Sequence, residues 1–330
     1  KYFKKVLDKK HQNEDWLNDD GTAKGAFGGT ERVSQILNER IDSKHLDNFK
    51  IIHSRFRPSF LEEGKKHIML FHDTYNDPEV SFLEHPDNWN LFEKFAFVSH
   101  YQKNTYQLRF GIPADKCVVM RNAIDPIEVE EKNMDQIRLI YHTTPHRGLD
   151  ILYNVYKELY KELGDKIHLD VFSSFKIYNR EMQDEAYQTL FDALNDHAGI
   201  TYHGVQSNDV VREYLAKSHI FAYPNTWVET SCIAAIEAMS AGCHVICPDL
   251  GALPETTANF AVMYPYTDDK IEHANKFYRI LRSAIAYAHD EGLQDKLMMQ
   301  KVYADSFYNW NLRISEWNAL LGSMTVNNND

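Results

Sequence analysis

The chain is predicted to be an α/β protein made of two Rossmann-like domains that face each other across a cleft. Three observations lead there. Short apolar runs of strand type alternate with single amphipathic helices, which is the pattern of parallel sheets. The alternation breaks at Asp125-Pro126 and the acidic stretch Glu128 to Asp135, then starts again. One βαβ unit is written out almost completely: Ile220-Phe-Ala-Tyr-Pro224, then Glu229-Thr-Ser-Cys-Ile-Ala-Ala-Ile-Glu237, a stop at Gly242, and His244-Val-Ile-Cys247.

In chain order, Gly25-Ala-Phe-Gly-Gly-Thr30 opens a helix with Val33, Ile36, Leu37 and Ile41 on one face. Strands are expected at Lys50–His53, His67–Phe71, Phe95–Ser99 and Cys117–Met120, with a helix over 102–110. In the second half, Ile137–Tyr141 is a strand. A helix follows with Leu152, Val155, Tyr156, Leu159 and Leu163 inward, ending at Gly164. Ile167, Leu169 and Val171 alternate as a strand, Ile200–His203 is another, and Ser207 caps a helix. From Ile271 on, the chain reads as helices rich in aromatic residues. The expected domains are 1–130 and 131–330.

A length of 330 residues suffices for two cores, and 43% hydrophobic with 25% charged residues is ordinary for a globular protein. The net charge of −12 argues against a nucleic-acid backbone as partner. No apolar run approaches the ~20 residues of a membrane span, and no signal peptide opens the chain. Cys117, Cys232, Cys243 and Cys247 form no CxxC pair and read as reduced thiols, which implies a cytoplasmic location, free or peripheral to a membrane. The histidines show no HExxH spacing, and no metal is expected.

Ligands of open parallel sheets bind beyond the strand C-termini. There, the helix start at Thr230, Ser231 and Cys232 presents free amides and a dipole to an anion. Eight residues of helix rise about 12 Å, roughly the reach from a sugar past a pyrophosphate to a ribose. Glu229 and Glu237 are therefore candidates for the two ends of a sugar nucleotide. A solvated loop and a solvated helix face are their plainer readings, but a carboxylate buried among Ala234, Ala235, Ile236, Ala238 and Met239 needs a partner. Arg147 is either a surface cation at a helix start or a bidentate grip on a diphosphate. Gly28 and Gly29 form either a tight turn or a site of close ligand approach.

Several motifs, in order, resemble one family. They are Gly28-Gly-Thr-Glu-Arg32, Phe97-Val-Ser99, Phe110-Gly-Ile-Pro113, Val119–Asp125, Arg147-Gly-Leu-Asp150, the two glutamates with seven residues between, and Pro248–Glu255. Together they are similar to the retaining glycosyltransferases of GT-B fold in glycosyltransferase family 4, over nearly the whole chain. The resemblance implies transfer of a sugar from a nucleotide-diphosphate donor to an acceptor hydroxyl, with no cofactor or metal. It implies a final helix, over 306–325, that returns to complete the first domain, and an apolar strand leading into the glycine loop. Only Tyr2–Leu7 is placed to serve as that strand, so the sequence is read either as lacking its true start or as a compact variant. It places Glu229 on the donor sugar, Glu237 on the ribose, and Thr230, Ser231 and Cys232 at the phosphates. His72 is the match for the histidine beside the anomeric centre, with His100 a second candidate and Asp73 a possible orienting group. Tyr202-His-Gly204-Val205 resembles the segment whose backbone meets the nucleobase, an ordinary strand-to-turn being the equal alternative. The family carries an arginine five residues before a lysine at the phosphates. Here His142 and Arg147 stand in those positions, with Thr143 and Thr144 as hydroxyl donors between them.

Two other classes fit the same architecture. One is a nucleotide-sugar epimerase or phosphorylase; the other is a binding module that keeps the nucleotide without turnover. A dehydrogenase is disfavoured, since no GxGxxG follows a strand. The donor base, the sugar and the glycan, lipid or protein acceptor are not encoded in these motifs.

Overall fold

The computed structural model describes residues 16–326, so the expected strand at Tyr2–Leu7 lies outside the described residues. A helix α1 (Gly29–Arg40) precedes the first sheet, formed by β1 (Phe49–His53), β2 (Lys66–Phe71), β3 (Lys94–Phe97) and β4 (Cys117–Val119). These strands lie in the order β1-β2-β3-β4, each parallel to its neighbour. Helix α2 (His100–Phe110) links β3 to β4 and starts at Ser99, whose hydroxyl accepts from the Gln102 amide.

The second sheet holds β5 (Ile137–Tyr141), β6 (Ile167–Phe172), β7 (Ile200–Gly204), β8 (Ile220–Ala222), β9 (His244–Pro248) and β10 (Val262–Tyr264). Its order is β10-β9-β8-β5-β6-β7, again all parallel. The chain runs outward from β5 through β6 to β7, then returns to the other side of β5 as β8. The order reverses between β5 and β8, and that is where an open α/β sheet leaves a crevice for a ligand.

The crossovers are α3 (Leu149–Leu163), α4 (Gln188–Asn195), α5 (Asn208–Lys217) and α6 (Ile233–Ser240). Leu149, Ile151, Leu152, Val155, Tyr156 and Leu159 of α3 are buried, and each fully buried leucine contributes about 2 kcal/mol. Three long helices close the chain: α7 (Lys270–Ala286), α8 (Glu291–Phe307) and α9 (Trp310–Val326). Trp310, Trp317 and Leu321 of α9 share one buried cluster with Val33, Ile36 and Leu37 of α1 and Ile51 and Ile68 of the first sheet. The last helix thus returns to the opening half of the chain. We propose the domain boundary at residues 130–131, in the strandless stretch between the two sheets.

Two expected details change. Arg147 does not start a helix: it closes a short turn, Pro145–Arg147, and α3 begins after Gly148. Helix α6 starts at Ile233 with Cys232 as its cap, so the interval from Glu229 to Glu237 is helical only in its second half. No helix among the described residues is long and apolar enough to cross a membrane. All four cysteines are free thiols.

Candidate functional site

The site is built from loops that leave the C-terminal ends of β5 and β8 in one sheet and of β1, β2 and β3 in the other. Glycine is required where the first two meet. Gly148 has φ +97°, and a Cβ there would lie 2.0 Å from the Pro224 carbonyl oxygen. Gly251 plays the same part behind Glu229, whose backbone oxygen a Cβ would meet at 2.5 Å with φ at +64°. The loops after β5 and β8 are thereby pressed together, and Arg147 comes to face Glu229.

Glu229 is 7% exposed. One of its carboxylate oxygens accepts from Arg147 Nη1 and from the Tyr223 hydroxyl. Arg147 is anchored in turn by Nε, which donates to Thr144 Oγ1 at 3.2 Å. Burial works against the arginine's charge, but Glu229 beside it outweighs that and holds the guanidinium firmly protonated. Tyr223 is pushed well above the ordinary phenol range, first by burial and then by the carboxylate it faces. The Thr143 hydroxyl is buried without a partner.

His142 does not supply the second cation. It packs half-buried against Phe221, with ring centroids 4.9 Å apart, and desolvation of the ring drives its pKa down to about 3. Its ring is neutral at neutral pH, and its Nε2 is buried and unpaired. Arg147 is the cation of this loop.

The residue after Glu229 joins the two sheets. Thr230 Oγ1 donates to the His72 carbonyl at 2.6 Å, and Ser99 Oγ donates to the Thr230 carbonyl at 2.6 Å. The hydroxyl of Thr230 is therefore spent on His72. Because α6 is capped at Cys232, the amides of the helix proper begin at Ile233, and those of Thr230, Ser231 and Cys232 lie in the loop just before them. Gly28 and Gly29 adjoin the same region: a Cβ on Gly28 would meet the Tyr178 ring at 2.4 Å, and one on Gly29 would meet Ile233 at 3.1 Å.

Glu237 stands apart from this group, 5% exposed on α6. Asn208 Nδ2 donates to it at 3.3 Å, and Arg212 Nη1 lies 3.7 Å away. Burial raises its pKa, and Arg32 and Arg212 offset only part of that. Tyr202 turns its side chain into the domain, stacking on Phe191 at 4.9 Å and donating to the Ser173 carbonyl at 2.7 Å. Gly204 ends β7 with φ +63° and open space around it, and Val205 is exposed.

His100 is engaged elsewhere, and Asp73 is fixed through its backbone. The His100 ring and amide both meet Glu255, and the Asp73 carbonyl accepts from Gln102 and Tyr106. The sequence reading missed Tyr223 and Tyr178. The first sits at the end of β8, where strand position alone marks it as facing the crevice. The second lies in an irregular segment after β6 that carries no periodic signal.

Residues 121–286 match the family model described as glycosyl transferases group 1. A human protein that forms part of phosphatidylinositol N-acetylglucosaminyltransferase is 28% identical over 167 residues, which is 48% of this chain and 32% of that protein. The chain thus matches about a third of that relative's length. Among solved structures, a glycosyltransferase from Rickettsia africae superposes with a TM-score of 0.68 at 16% identity, covering 95% of this chain and 85% of that one. The pneumococcal O-GlcNAc transferase GtfA, in complex with UDP and GlcNAc, gives 0.62 at 13% identity, covering 90% and 60%.

Proposed function

The chain belongs to the glycosyl transferases of group 1 with a GT-B fold, and from that premise we propose that it transfers sugar with retention at the anomeric carbon, in the manner of family 4. The observation that carries this reading is the convergence of Arg147, Glu229, Thr230 and His72 where β5 and β8 part and the first sheet meets them.

The donor diphosphate lies against Arg147 and the free amides of α6. Its departure breaks the bond from the anomeric carbon to the phosphate oxygen and builds negative charge there, which a fixed cation and oriented amides stabilise. Glu229 takes the hydroxyls of the donor sugar, and Glu237 those of the ribose. The acceptor hydroxyl attacks from the face the diphosphate leaves, and its proton passes to the departing oxygen. His72 stands at the anomeric centre. Arginine and helix amides carry the leaving-group charge, so the scheme needs no divalent ion.

UDP-GlcNAc is the first donor to test, because the human relative is named for N-acetylglucosaminyl transfer and the pneumococcal structure holds UDP and GlcNAc. Labelled UDP-GlcNAc is supplied with a panel of glycan, lipid and protein acceptors in EDTA, and the product linkage is read by NMR. An α-linked product formed in EDTA is expected. A β-linked product, or activity restored only by a divalent ion, refutes the scheme.

A further inference from the structure

His72 is held from three sides, and two of them come from the end of β1. Ser54 Oγ accepts the His72 amide at 2.9 Å, and the Thr230 hydroxyl holds its carbonyl. The third contact is to the ring. His53 Nδ1 faces His72 Nε2 at 3.1 Å, and the two imidazoles lie edge to edge with centroids 5.4 Å apart and planes within 9° of each other.

The geometry that brings this about is specific. His53 is the last residue of β1, paired in register with Leu70 of β2. Ser54 then takes φ +48°, a left-handed conformation that few non-glycine residues adopt, while its amide donates to the Leu70 carbonyl at 2.9 Å. His53 is 1% exposed. Its amide donates to the Asp20 carbonyl at 2.7 Å, and the Asp20 carboxylate is itself tied to Ser34 and Thr22. The bond between the rings thus rests on a fixed support.

We propose that His53 is a positioning residue for His72. The ring-to-ring bond occupies Nε2 of His72, couples its tautomer to that of His53, locks the ring's rotation and leaves Nδ1 as the nitrogen available to substrate. This rests on the reading of His72 as the histidine of the anomeric centre. Burial lowers the pKa of both imidazoles, that of His53 to about 4, with Asp20 opposing the shift at His53 and Arg55 adding to it at His72. Both rings are neutral at neutral pH, so one nitrogen donates and the other accepts, and a single proton lies in the bond.

Two measurements test this. Histidine-selective 15N NMR on the full chain needs no substrate. Complementary tautomers are expected in the wild type, with one of His53 Nδ1 and His72 Nε2 protonated and the other a hydrogen-bonded acceptor, and loss of the hydrogen-bonded shift at His72 Nε2 in His53→Phe. Both nitrogens protonated, or neither, in the wild type overturns the proposal. Kinetics with UDP-GlcNAc then compare His53→Phe with His53→Asn, whose amide restores a polar atom near the Nδ1 position. His53→Phe is expected to lower kcat about tenfold or more with KM for UDP-GlcNAc within about twofold, and His53→Asn to recover most of the loss. Equal kcat in His53→Phe and wild type, or no recovery in His53→Asn, refutes positioning. His72→Phe separates the two claims. If it turns over normally, the role of His72 itself falls. If it is silent while His53→Phe is fully active, only the positioning claim falls.

Discussion

Arg147 and Tyr223 donate to the same carboxylate oxygen of Glu229. The group proposed to hold the leaving diphosphate and the group proposed to hold the sugar thus neutralise each other in the free protein. The pair is nearly dry, with 19% of the arginine side chain and 9% of the glutamate side chain exposed. Cutting one member of a buried pair strands the other, at about 3 kcal/mol. Arg147→Met is expected to lose about that much stability in urea unfolding, together with transfer activity. The double variant Arg147→Met with Glu229→Gln leaves no stranded charge, so it should regain part of the stability and none of the activity.

Gly148 gives a sharper structural prediction. An alanine there meets the Pro224 carbonyl in addition to the strain of φ +97°. The control is Gly64, which has φ +85° and nothing within 4 Å of a Cβ. Gly64→Ala should cost only the conformational strain, about 1 kcal/mol. Gly148→Ala should cost about 3 kcal/mol or more, because backbone has to move, and it should disturb the approach of Arg147 to Glu229. Urea midpoints for the two variants decide the comparison.

Much of this was legible from residue type. β5, β6 and β9 are dense in Ile, Leu and Val and are bounded by polar or glycine-containing turns. Glu237 announces itself because a carboxylate amid Ala234, Ala235 and Ile236 needs a partner if that face is buried. What was not legible depends on register and on competition for donors. His53 and His72 are separated by nineteen positions. They meet only because β1 and β2 pair in one parallel register. Thr230 and Ser231 read as the helix start, yet α6 begins at Ile233 with Cys232 as its cap. Tyr178 ends the first of two short turns between Phe175 and Tyr187, where no periodicity points inward or outward. β10 spans only Val262–Tyr264, too short a run to stand out.

The buried histidines predict an acid-labile fold. Burial lowers the pKa of His53, His146, His219 and His244 to about 4 and of His142 to about 3. In the unfolded chain each returns to its ordinary value near 6.5. Between those limits the unfolded state binds more protons, so stability rises with pH across that range. The contribution is complete above about pH 6.5 and is lost as pH falls through about 4. Urea midpoints taken from pH 7.5 to pH 4 should fall continuously, with proton uptake on unfolding. His142→Phe should flatten part of that slope. A midpoint unchanged between pH 6.5 and pH 4.5 contradicts the assignment of these rings as neutral and buried.

Glu255 ties the two sheets together away from the chemistry. Its carboxylate accepts from the amides of His100 and Tyr101, each at 2.9 Å, and so caps the N-terminus of α2 from the other half of the chain. Arg121 lies 3.4 Å from the same carboxylate. Burial opposes the charge, but the two amides outweigh it and hold the carboxyl below its ordinary range. A carboxylate on free amides at a helix start also gains from the helix dipole. Glu255→Ala should therefore cost about 2 kcal/mol. Its local signature is faster hydrogen exchange at residues 100–102, with the amides of β5 and β6 unaffected. Glu255→Gln keeps an acceptor oxygen and should fall between the two. Exchange at the start of α2 that does not change in Glu255→Ala would show that Ser99 alone caps the helix, and that the contact across the sheets contributes nothing to it.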